Sequence, residues 1–141
     1  MGLSLASAEA IAADVLRKAR AMDLKPLTVA VLDAGGYLKT LAREDGASPM
    51  RPEIAQGKAR GAIKMGLGSR ALFERAKDQP YFIQAMNSLA GGSLVPAPGG
   101  VLIKDGDEIV GAVGVTGDSS DNDEICAVHA IAAAGLTADT G

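Results

Sequence analysis

The chain has no tryptophan, and aromatic residues make up only 3% of it. A core of stacked rings is therefore excluded, and Ala, Val, Ile and Leu must supply the buried volume. A single cysteine, Cys126, rules out an intramolecular disulfide and suits a reducing compartment. There is one histidine, His129, and no basic tract; the net charge is −3. Nucleic-acid binding is disfavoured, because neutralising phosphates requires a basic patch. No apolar run approaches the ~18 residues of a membrane span. The opening residues MGLSLASAEA lack a basic n-region, so no secretory signal is expected. A soluble, cytoplasmic protein without nucleic-acid or membrane partners is the expectation.

What is plentiful is apolar aliphatic residue and glycine: 48% hydrophobic and 18 glycines in 141 residues. One domain, 1–141, is expected, and a chain of this size buries roughly 68% of its unfolded surface. No stretch is low in complexity, so the glycines mark turns and close backbone approaches.

Ile11, Ala12, Val15, Leu16, Ala19 and Met22 recur at helical spacing, which predicts a helix over 7–22 capped by Ser7. Leu27 to Leu32 is apolar on both faces except at Thr28, as in a strand covered on both sides. The turn Asp33-Ala-Gly-Gly36 leads to a second strand from Tyr37 to Leu41. Pro52 suits the first turn of a helix whose inner stripe is Ile54, Ala55, Ala59, Ala62 and Ile63. In that helix Gly57 and Gly61, four apart, predict close packing against another backbone. Short helices follow over 69–76 and 80–88, then a Gly/Pro loop over 90–100. A second hairpin turns at Lys104-Asp105-Gly106-Asp107, and an acidic loop opens a last helix over 121–134. Two hairpins with helices before, between and after predict an α/β (α+β) fold. The expected form is a three-layer α-β-α sandwich around an antiparallel sheet of about five strands, with helices on both faces.

Several residues carry candidate chemistry. Arg43, at a strand end, offers a planar donor fork for a carboxylate, with Asp45 beside it as acid/base or as the group that orients it. Against this stands an Asp-Gly turn with an internal ion pair. Lys58, among small helical neighbours, is an anion ligand, or a base if desolvated; otherwise its stem lies along apolar surface. Gly99 and Gly100 bring backbone N–H groups near a ligand or simply make a tight turn into the third strand. The pair lacks the lysine and helix start of a phosphate loop. Asp121, Asp123 and Glu124 crowd a helix start. They serve as cap and dipole partners, or Asp123 and Glu124 carry protons and pair with Arg43 or Lys58. No EF-hand spacing accompanies them, so no metal is expected. His129 falls near Ile125, Val128 and Ala132, which predicts a position on the inner side of the last helix.

The runs Val29-Ala-Val-Leu-Asp-Ala-Gly-Gly36, Arg43-Glu-Asp-Gly-Ala47, Ala55-Gln-Gly-Lys-Ala59, Gly99-Gly-Val101 and Asp105 to Gly117 resemble the GlcG/HbpS family. The resemblance extends over nearly the whole chain, in order. It implies a three-layer α-β-α fold and a homo-oligomer, a dimer or larger. Family members include haem-binding proteins, the C-terminal domain type of PduO and proteins encoded beside glycolate oxidase. Haem is thus a cofactor the resemblance raises, although Glu44 replaces an apolar residue of the family pattern and no histidine lies on the first helix. The reading is a small-molecule-binding protein that takes an anionic ligand, haem or a small carboxylate, near Arg43 and Lys58. One alternative is a cofactor-independent isomerase or hydrolase of a small carboxylate, hydroxy acid or carbonyl compound from a catabolic operon. Another is an accessory oligomeric subunit with its interface at Gly57 and Gly61.

Overall fold

A computed structural model describes residues 2–141. Ten elements follow one another: α1 (Leu5–Ala21), β1 (Thr28–Asp33), β2 (Leu38–Arg43), α2 (Arg51–Met65), α3 (Ser69–Asp78), α4 (Pro80–Leu89), β3 (Gly100–Asp105), β4 (Glu108–Thr116), α5 (Ser120–Ala133) and β5 (Thr137–Asp139). The five strands form one antiparallel sheet in the order β2-β1-β4-β3-β5. The expected α-β-α sandwich with five strands is what the chain adopts.

Side-chain alternation along the strands assigns each face. Val29, Val31, Val101, Ile103, Val113 and Val115 pack against Ile11 and Val15 of α1 and Ala127 and Ile131 of α5. Leu32, Leu102 and Ala112 face the other way, onto Ala59 and Ala62 of α2. That second layer is thin because its contacts are small. A Cβ at Gly114 would fall on the Ala55 carbonyl oxygen and lie 3.1 Å from the Ala59 Cβ. Helices α3 and α4 close a separate cluster of Leu72, Ile83 and Leu94. Among the described residues, no helix is long and apolar enough to cross a membrane.

Several boundaries differ from expectation for identifiable reasons. Helix α1 begins at Leu5, and Ser4, not Ser7, caps it: the Ser4 hydroxyl accepts from the Ser7 amide at 3.1 Å. Strand β2 runs on to Arg43, because Thr28 of β1 pairs with it. Helix α5 is capped by Ser119, whose hydroxyl accepts from the Asn122 amide at 3.2 Å. Its buried stripe is Asp123, Cys126, Ala127, Ala130 and Ile131, so Ile125 and His129 are exposed instead of inward. In an alanine-rich helix two stripes satisfy the same spacing, and only packing selects one. Gly57 and Gly61 do meet another backbone, but it is the chain's own. Leu94 and Val95 lie over them, and the Val95 amide donates to the Gly57 carbonyl at 3.2 Å. An oligomer interface built on those two glycines is therefore already filled from within.

Candidate functional site

Lys58 leaves α2 pointing into the protein. The glycines of the Pro98–Gly100 turn make the room: a Cβ at Gly99 would come within 3.0 Å of the Lys58 Nζ. The ammonium donates to the Val115 carbonyl at 2.9 Å and to the Asp123 carboxylate at 3.3 Å. Both side chains are almost fully buried, 4% and 1% exposed. The other oxygen of Asp123 accepts from the Asp118 amide at 3.0 Å. This ion pair ties α2 on one face of the sheet to α5 on the other, across the end of β4. Burial pushes the Lys58 pKa down and the Asp123 pKa up, and their mutual attraction opposes both shifts. Lys58, Asp123, Gly99 and Gly100 thus come together in a packed interior, with Arg43 outside the group.

Arg43 and Asp45 lie elsewhere at that end of the sheet. With Arg20, Pro26 and Glu44 they line an open cleft of about 430 Å³. A second cleft, of about 230 Å³, shares Pro26 as a wall residue with it; its other walls include Lys25, Gly46, Ala47, Ser48, Arg51 and Gly117. The strand register sets the wall behind them. Arg43 pairs with Thr28, and Thr28 with Thr116, so the three side chains form a row on the α2 side of the sheet. Arg51, in the first turn of α2, donates to the Thr116 hydroxyl at 2.7 Å. Arg43 donates to the Ala47 carbonyl at 2.6 Å. Between them the Thr28 hydroxyl is fully buried and has no protein partner.

Glu44 explains itself in this setting. It pairs with Arg20 at 3.2 Å, and its other oxygen accepts from the Leu27 amide at 2.8 Å. A carboxylate in an apolar position of the family pattern is thus neutralised by the end of α1.

The remaining candidates have other partners. Glu124 pairs with Arg70 of α3 at 3.0 Å, and Asp121 binds the same guanidinium, while Asp123 turns away to Lys58. The three acids diverge instead of converging on one point. Cys126 is buried, and burial with the nearby Asp123 pushes its thiol up to about 11. Arg51 is not among the candidates the sequence offers: a cation in the first turn of a helix is only mildly disfavoured by the dipole, and its Thr116 partner comes from a distant strand.

The chain matches the family described as haem degrading protein HbpS-like over residues 3–132. It belongs to the HbpS-like family. Solved structures agree with the assignment. A PduOC:haem complex is 25% identical, with a TM-score of 0.86 over 96% of this chain and 97% of that one. HbpS itself is 28% identical, with a TM-score of 0.81 over 94% and 89%. Klebsiella pneumoniae protein ORFY is 25% identical, with a TM-score of 0.85 over 94% and 90%. No curated protein matches the chain. Within the HbpS-like fold, the clefts at Pro26 sit where the strand ends of β1, β2 and β4 meet the start of α2.

Proposed function

We propose that this chain is a small-molecule-binding domain for an anionic ligand, held at the Arg43 end of the sheet with Lys58 and Asp123 bracing the floor behind it. One observation carries the reading. Arg43 borders the outer cleft and Arg51 the neighbouring inner one, and among the described residues neither is within ion-pairing distance of a carboxylate. Each spends a donor on an uncharged oxygen and keeps further donors in its fork for an incoming oxyanion. The outer cleft's volume lies within the ~300–1,000 Å³ common for ligand sites.

The haem held by the PduOC relative makes haem a ligand to weigh. The residues here fit its carboxylates and not its iron. Neither cleft is lined by an imidazole, thiolate or thioether. His129 is exposed on α5, and the Cys126 thiol is buried and protonated at neutral pH. A small carboxylate is therefore the ligand class favoured. Catalysis is the weaker reading, because its candidate proton carriers lie apart: Asp45 on the outer cleft, Asp123 sealed against Lys58, Glu124 on Arg70.

The test is thermal unfolding in the presence of small carboxylates, alongside a haemin titration followed at the Soret band. A ligand at 100-fold its Kd stabilises the native state by about 2.7 kcal/mol. The expected result is saturable stabilisation by a carboxylate that is lost in Arg43→Gln. No stabilisation by any acid, together with no saturable Soret change, sinks the reading.

A further inference from the structure

The charge around the two neighbouring clefts is unbalanced. Four cations, Arg20, Lys25, Arg43 and Arg51, stand against two carboxylates, Glu44 and Asp45. Arg20 and Glu44 neutralise each other. The inner cleft carries Lys25 and Arg51 on its wall; Asp118, next to Gly117, accepts from the Lys25 amide at 3.1 Å and offsets part of the Lys25 charge, while among the described residues Arg51 has no acid paired with it. Behind it Lys58 adds a cation, but Asp123 compensates that one. The outer cleft is thus balanced in number and the excess positive charge lies at the inner one; Arg43 on the outer cleft and Arg51 on the inner are the two guanidinium groups there that no carboxylate among the described residues pairs with.

Those places are structurally linked. The clefts share Pro26, and the carbonyl that Arg43 holds belongs to Ala47, on the wall of the inner cleft. Arg43 ends β2 and Arg51 begins α2, so the two residues flank one short connection. Each is pinned by a neutral acceptor, which orients the fork without using its charge. The row Arg43–Thr28–Thr116 runs behind both, and its central hydroxyl is still unpartnered.

We infer that the two clefts form a single site for a small molecule carrying two carboxylate groups, one held by Arg43 and the other by Arg51. The inference rests on the anionic-ligand reading and specifies it: the ligand is a dicarboxylate, and Arg51 sets the specificity for the second acid. A monocarboxylate leaves one guanidinium without its partner. A compact dianion such as inorganic phosphate carries the charge on one centre instead of two.

Isothermal titration with a series of linear dicarboxylates (succinate, glutarate, adipate) and the monocarboxylates of equal length tests it. The best dicarboxylate is expected to bind at least tenfold more tightly than its monocarboxylate counterpart and than inorganic phosphate. Arg51→Gln is expected to reduce that preference to less than threefold, with the monocarboxylate still bound through Arg43. Arg51→Lys keeps the charge but not the fork and is expected to fall between; it serves as the readout if Arg51→Gln fails to fold. Equal affinity for the two acid classes, phosphate binding as tight as the dicarboxylate, or a preference untouched in both Arg51 variants overturns the two-point site. If Arg43→Gln abolishes binding in those cases, the anionic-ligand reading survives alone. If the wild-type protein binds no acid at all, both are overturned.

Discussion

Replacing Asp123 with asparagine removes one charge of the Lys58–Asp123 pair and little else. The shapes are nearly identical, and the amide oxygen still accepts from the Asp118 amide. Lys58 then keeps its carbonyl partner at Val115 but loses its counter-charge in a site only 4% open to water. At 3.3 Å and an effective dielectric of about 20, the lost attraction is on the order of 5 kcal/mol. Breaking a buried pair from one side costs about 3–5 kcal/mol. In a domain of this size that lowers Tm by roughly 6–20 °C. The charge-free pair Lys58→Met with Asp123→Asn is expected to lose clearly less than the two single variants summed, since neither charge is then left alone. The pH dependence has a defined sign. Without Asp123 the folded-state pKa of Lys58 drops further below the ordinary 10.5, so the unfolded chain binds the extra proton. The Asp123→Asn deficit should therefore shrink as pH rises from 7 towards 10. Urea denaturation of the four proteins at pH 7 and pH 9 measures this directly. A single variant within 1 kcal/mol of wild type, or a deficit that grows with pH, refutes the account of Lys58 as a sealed ion pair.

Two other perturbations address the frame around the site. Gly114→Ala drives a methyl group into the Ala55 carbonyl, which is backbone and cannot rotate away; overpacking of about 1–3 kcal/mol or more is expected from denaturant midpoints, and an unchanged midpoint contradicts the close approach of α2. Asp118 accepts from the Asn122 side chain and from the Ser119 and Lys25 amides, which hold its carboxyl down to about 2. Its contribution is complete above the unfolded value near 3.8 and is lost as pH falls through about 2. Carboxyl chemical shifts followed through an acid titration should locate its midpoint there, and a midpoint at the ordinary value rejects the capping arrangement.

The layers were legible because they rest on local pattern. Apolar runs on either side of short glycine turns marked both hairpins, and Gly57 and Gly61 announced a close backbone. The misses share a physical origin in tertiary context. Strand β5 is three residues, Thr137–Asp139, with no apolar alternation; only the free edge of β3 makes it a strand. Pattern alone does not fix the inner stripe of α5, because alanines fit either face. At the site, Lys58 and Asp123 each stand out as a charge on a helix, yet no pattern specifies that residues 65 positions apart meet inside the protein. Arg43 was visible as a cation at a strand end. Arg51 was not, since its meaning depends on Thr116, supplied by β4 on the far side of the chain.

Amide chemical-shift mapping of the isotope-labelled protein, titrated with glutarate, tests the central claim most directly. Saturable perturbations concentrated at Gly46, Ala47, Ser48 and Gly117, with the side-chain resonances of Arg43 and Arg51, are the predicted result. Perturbations gathered instead at the Gly2–Ser7 cleft or beside Met86 and Leu89, or none at saturating acid, would contradict it.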